Sequence, residues 1–194
     1  MRKLTIDDIK DQRAYERERP EFRSRIIAMK KRRRIGLGDL LTITFENTDT
    51  MRFQVQEMAR VERMISDEQI QHEVSTYNEL VPDDGELAAT LFIEITDKER
   101  LYEWLPKLVG IQRAVSIWLP DGSAVPADPL DEERLTREET TTTVHYLKFR
   151  FTPEQVTALK EQGARIVVDH PHYDAVVELS DEQRAELVGD LEAD

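Results

Sequence analysis

The chain contains no cysteine, only 7 glycines and 4 histidines in 194 residues, and no apolar run near the ~20 residues that a membrane-spanning helix requires. Without cysteine, a disulfide framework, thiolate-held zinc or iron–sulfur clusters and thiol nucleophiles are excluded within the chain. Any metal would have to be held by imidazole and carboxylate. A reducing, cytoplasmic setting is expected, because the opening MRKLTIDDIKDQ meets acidic residues before an apolar signal segment can develop. Nucleophile-elbow, Walker and dinucleotide-binding patterns are also missing. The adjacent acids Asp83-Asp84 and Glu132-Glu133 lie in polar loops where neighbouring side chains diverge, so they do not read as a general acid/base pair.

What is present is charge, and it is segregated. Residues 1–34 carry 13 Lys/Arg against 6 Asp/Glu, a balance of +7, while residues 35–194 carry 14 against 34, a balance of −20. An acidic body of that size repels nucleic acid and anionic membrane at long range. Only the basic segment favours an anionic partner, and it can equally pair with the body. A division into a basic helical arm, 1–34, and one α+β domain, 35–194, follows.

Helix starts are marked by Ser or Thr followed three residues later by Glu or Gln, a reciprocal capping box: Ser66 with Gln69, Thr96 with Glu99, Thr152 with Gln155 and Ser180 with Gln183. The pattern predicts helices near 5–19, 21–34, 55–65, 66–79, 97–108, 153–162 and 181–189, with Pro20 splitting or kinking the first stretch. Period-two alternation predicts a hairpin in which Leu41, Ile43 and Phe45 face Met51, Phe53 and Val55 across the turn Glu46-Asn47-Thr48-Asp49. Further strands are expected at 87–95, 113–119, 123–126, 141–151, 165–169 and 174–179. Two stretches then share the order β-α-β-β. The fold class expected is α+β, with a mostly antiparallel sheet carrying helices on one face, preceded by the helical arm and the hairpin.

Three places carry candidate chemistry. The run Lys30, Lys31, Arg32, Arg33 and Arg34 ends a predicted helix. Cations there meet the negative end of the helix dipole, which explains them without function. The functional reading is docking of an anionic partner, an acidic protein surface before RNA, because no nucleic-acid module accompanies the run. His145 shares a strand face with Leu147, Phe149 and Phe151, so it should point into the core or a pocket there, beside which Gln56 and Glu57 at a strand-to-helix turn are further candidates. His170 and His172 flank Pro171 in a tight turn between Asp169 and Asp174, and with His145 they form a candidate iron or zinc ligand set. An ordinary exposed turn is the alternative reading. His72 falls opposite the stripe Ile70, Val74 and Tyr77 and is expected to be exposed.

The segments Phe45–Met58, Ile70–Glu73, Tyr77-Asn78, Glu86–Glu94 and Trp104–Pro106, with Leu4–Ile9, Val144–Tyr146 and Asp169–Pro171, resemble bacterial domain-of-unknown-function family 3501 over nearly the whole chain. The resemblance implies no activity or catalytic residue. It implies a genomic setting beside rubrerythrin and an iron–sulfur oxidoreductase similar to a heterodisulfide reductase subunit, hence redox or peroxide metabolism. The leading expectation is a non-catalytic accessory protein, without cofactor, that docks an acidic protein partner through Lys30–Arg34, with homo-oligomers allowed. The alternatives are an iron- or zinc-binding protein built on the histidines and a small-ligand pocket between the two β-α-β-β units.

Overall fold

The computed structural model describes residues 1–130, the backbone of 136–137, and 140–193. Glu132 and Glu133 lie outside the described residues. Among these, six α-helices and two larger antiparallel sheets give an α+β fold. No helix among them is long and apolar enough to cross a membrane.

Helix α1 spans Gln12–Arg33, started by Asp11, whose carboxylate accepts from the Ala14 amide at 2.9 Å. It runs unbroken through Pro20, where the sequence predicted a division. Proline forfeits one backbone hydrogen bond, but Tyr15 and Phe22 on either side are buried against the body and hold both halves in one line. Thr5 and Asp8 start only a single 3-10 turn at Ile6–Asp8.

The expected hairpin is also replaced. Strand β1 (Arg34–Leu37) pairs with β2 (Leu41–Glu46), and the second predicted strand is the first half of helix α2, Thr48–Val61, which continues into the helix expected at 55–65. Asn47 is its cap: the Thr50 amide donates to Asn47 Oδ1 at 3.0 Å and the Asn47 amide to Thr50 Oγ1 at 2.8 Å. Met51, Val55 and Ala59, four apart, are its buried stripe. Helices α3 (Asp67–Asn78), α5 (Pro153–Leu159) and α6 (Asp181–Leu191) begin at the predicted boxes of Ser66, Thr152 and Ser180. Helix α4 (Lys98–Lys107) starts one residue late, capped by Asp97.

The two β-α-β-β runs are β3 (Glu86–Ile93), α4, β4 (Val115–Trp118), β5 (Ala124–Pro126), and β9 (Val144–Arg150), α5, β10 (Arg165–His170), β11 (Tyr173–Glu178), with the short β6 (Asp128–Leu130), β7 (Thr136–Arg137) and β8 (Thr140–Thr141) between them. They do not build one sheet. Their first strands pair with each other, Leu87 opposite Phe149, inside the five-stranded sheet β1-β2-β3-β9-β6. Their second strands pair, Ile117 opposite Ile166, inside the four-stranded sheet β11-β10-β4-β5. The main core fills the space between the sheets, with Phe45, Leu91, Phe149, Ile117 and Ile166 closed over by Leu159 and Leu187. Each such side chain contributes roughly 1.5–3 kcal/mol on burial.

Strand β2 is buried at all six positions. Leu41, Ile43 and Phe45 enter the core, while alternation turns Thr42, Thr44 and Glu46 to the other face. A second apolar cluster, Leu4, Met51, Val55, Val74, Leu80 and Val81, joins α2, α3 and the N-terminal segment, and a third, Tyr15, Phe22 and Ile26, seats α1.

Candidate functional site

The basic run does not project into solvent as a block. Lys30 Nζ lies 3.3 Å from Glu46, and Arg32 Nε is 2.5 Å from Glu186 on α6. Arg33 is buried, donating from Nε to Glu186 at 3.1 Å and in a fork to both oxygens of Asp190, one at 2.7 Å. Asp190 is also buried, at 7% exposure, and burial pushes its carboxyl up against the opposing pull of Arg33. Arg34 pairs with Glu94. Only Lys31 of the five is exposed and without an ion-pair partner among the described residues. The run is therefore mainly the clamp that holds the end of α1 to β2 and α6. Two of its acids, Glu186 and Asp190, lie more than a hundred residues away in the chain, beyond any local pattern.

Gln56 and Glu57 clamp the other end of α1. The Gln56 carboxamide accepts from the Lys10 amide at 3.0 Å and donates to the Lys10 carbonyl at 2.8 Å. Glu57 receives the Tyr15 hydroxyl at 2.6 Å, Arg19 through Nε at 2.7 Å and Nη2 at 2.9 Å, and Arg60 at 3.3 Å. These donors, Arg19 first, hold the Glu57 carboxyl at about 2 against an ordinary 4.5. A depressed folded value means that its stabilisation is present above the ordinary value and is lost as pH falls towards 2. Partial solvent screening reduces the effect to on the order of 1–2 kcal/mol. Glu57→Gln is thus expected to flatten the acid limb of the stability curve between about pH 4.5 and 2, measured by urea unfolding at a series of pH values, while wild type keeps the slope.

The histidines stay apart. His145 on β9 is buried at 2% exposure, its Nε2 2.9 Å from Thr141 Oγ1. His170 Nε2 donates to the Val109 carbonyl at 3.0 Å, and the His172 amide donates to His170 Nδ1 at 3.3 Å, with the two rings 6.0 Å apart. His72 is exposed. His145 belongs to the five-stranded sheet and His170 to the four-stranded one, and Glu57 sits on α2 with partners of its own. Among the described residues no group of three or more His, Asp or Glu is placed to hold a metal ion. Packed apolar side chains occupy the junction of the two β-α-β-β units, where the sequence allowed a pocket.

The feature left open by all this pairing is the outward face of α1. With Tyr15, Phe22, Ile26 and Arg33 turned inward, the 3.6-residue repeat turns Arg13, Arg17 and Lys31 outward and sets Arg23 on the flank beside them. All four are exposed and have no ion-pair partner among the described residues. Ile27, 51% exposed, lies midway between Arg23 and Lys31. The neighbouring Arg25 and Arg52 are partly engaged, their guanidiniums 5.1 and 4.6 Å from the Phe22 ring centre. A helical projection of 12–33 read straight through Pro20 contains this stripe. Dividing the helix there hides the alignment of Arg13 and Arg17 with its later part.

A family model described as "Protein of unknown function (DUF3501)" matches residues 3–191. A crystal structure from Burkholderia pseudomallei, described as a novel protein of unknown function, is 35% identical, with 98% of this chain and 100% of that chain covered and a TM-score of 0.89. No curated protein matches this chain.

Proposed function

We propose a docking role for this chain, which belongs to the DUF3501 family of proteins of unknown function: it acts as a non-catalytic accessory protein whose helix α1 engages an acidic protein partner. The observation that carries this reading is the outward stripe of Arg13, Arg17, Arg23 and Lys31, exposed and unneutralised among the described residues, on a chain of net charge −13. Cations left unpaired beside so much carboxylate are available to a partner, and complementary charge raises the encounter rate and sets orientation. The acidic body disfavours nucleic acid and anionic membranes, which would meet its field before the stripe. The redox systems implied by the family resemblance supply the class of partner to try first, an acidic face of a rubrerythrin or of an iron–sulfur oxidoreductase.

The test separates stripe from clamp. Reversing Arg13, Arg17, Arg23 and Lys31 to Glu is expected to weaken binding of that partner at least about tenfold in surface-plasmon titrations and to remove most of its salt dependence. The same variant should retain the wild-type circular dichroism spectrum and melting temperature. Unchanged binding by a folded variant would overturn the reading.

A further inference from the structure

A second unsatisfied surface lies beside the first turn of α1. The segment Ile6–Ile9, the start of α1 and the α2–α3 turn enclose an open groove of about 500 Å³. Ile9 and Ile70 form part of its floor, Ile65 is 90% exposed at its edge, and Asp7, Asp11 and Asp67 rim it. No basic side chain lines it, and none of the three carboxylates has an ion-pair partner among the described residues. The turn that presents Ile65 is held by Arg63 in the left-handed region, φ 54°, where a non-glycine residue sits at a cost. An exposed isoleucine on a strained turn, rimmed by three carboxylates without ion pairs among the described residues, is an apolar seat inside negative charge.

The chain carries the complement of that seat. Arg23, Ile27 and Lys31 place an exposed apolar side chain between two cations at successive spacings of four, a row that runs from the flank of α1 to its outward face. We infer that the stripe of one copy docks in the groove of another, so that the acidic partner of α1 is a second copy of this chain. The inference rests on the docking role proposed for α1 and names an occupant for it. The groove adjoins Asp11 and Ile27 lies about 24 Å further along the helix, at 1.5 Å per residue. Two copies set antiparallel about a two-fold axis near the middle of α1 match in axial position, each Ile27 level with the other copy's groove, and both contacts then close in one isologous dimer. Two copies of net charge −13 repel at long range. At physiological salt the screening length is about 8 Å, which quenches that repulsion more than it weakens ion pairs in contact.

Sedimentation velocity on the full chain over a wide concentration range at physiological salt tests the inference. A concentration-dependent dimer is expected. Arg23→Glu with Lys31→Glu, and separately Asp7→Lys with Asp67→Lys, should each weaken it at least about tenfold. Mixing the two variants should restore a heterodimer, since each then offers the other the opposite charge at both contacts. Ile65→Ser, which changes no charge, should weaken the dimer as well. A monomer at every concentration, or a dimer indifferent to both charge reversals, overturns the self-pairing. If the wild-type chain is monomeric while stripe reversal still abolishes binding of another acidic protein, the self-pairing falls and the docking role stands. If stripe reversal changes neither, both fall.

Discussion

Arg33→Met is expected to lower the free energy of unfolding by about 3–5 kcal/mol at neutral pH, because it strands the buried Asp190 carboxylate without its forked cation. Glu186 would lose one of its two arginines and the end of α1 would lose its tie to α6. Burial already pushes the Asp190 carboxyl up, and without Arg33 it would rise further. A raised folded value favours the protonated form, so the deficit should be largest at neutral pH and shrink as pH falls towards the carboxylate range. The double variant Arg33→Met with Asp190→Leu should recover most of the loss, since two apolar groups of similar volume need no compensation. Urea unfolding of the three proteins followed by far-ultraviolet circular dichroism measures both differences. A single variant as stable as wild type would mean that the fork holds nothing together.

The second large effect is expected at the corner joining the two sheets. Gly38, at φ +74°, turns the chain between β1 and β2, and the Tyr173 hydroxyl from β11 reaches into that turn. It donates to the Leu37 carbonyl at 2.6 Å and accepts from the Leu40 amide at 3.2 Å, while its ring meets Trp104 edge-on at 6.5 Å. A Cβ at position 38 would lie 2.2 Å from the hydroxyl. Gly38→Ala should therefore cost about 2–4 kcal/mol, about 1–2 from the left-handed backbone and the rest from displaced hydrogen bonds. Adding Tyr173→Phe removes the colliding oxygen and should return part of that loss, and its failure to do so in the same unfolding assay would refute the steric account.

Legibility from sequence followed the range of the interaction. Ser66, Thr152 and Ser180 announced their helices because a capping box is complete within four residues. Asn47 belongs to the same class of signal but reciprocates with Thr50 in place of Glu or Gln, and Glu46-Asn47-Thr48-Asp49 equally suits a turn, so the first half of α2 reads as turn and strand and only its second half falls in the helix expected at 55–65. Met51, Phe53 and Val55 fit either period over so short a window: Met51 and Val55 are buried, and Phe53 packs edge-on against Phe22. Strand β1 is only four residues, Gly36 among them, and is too short for period-two alternation to mark it. The order of the two β-α-β-β runs was visible, but which strands would pair was not, since that depends on contacts between the runs. For the site, Lys30–Arg34 stands out as a run, yet its role depends on Glu46 in β2 and above all on Glu186 and Asp190, which no window around it contains. The alignment of Arg13 and Arg17 with the later part of the stripe is hidden by one local rule, that proline ends a helix, which packing overrides.

The exchange of strands between the two runs has a consequence for how the chain reaches its native state. The central pair of each sheet joins residues far apart in sequence, Leu87 with Phe149 and Ile117 with Ile166, so contact order is high and folding should be slow relative to a protein of local hairpins. During synthesis the first run emerges with β3 and β4 as open edges, apolar on the faces that will become core. Each already has one neighbour, β2 and β5, but the other edge has no mate until β9 and β10 leave the ribosome, and such edges invite pairing with other chains. Neither run can be a folding unit by itself. The two act as halves of one cooperative transition, and truncation between them should yield aggregation-prone pieces in place of a smaller stable domain.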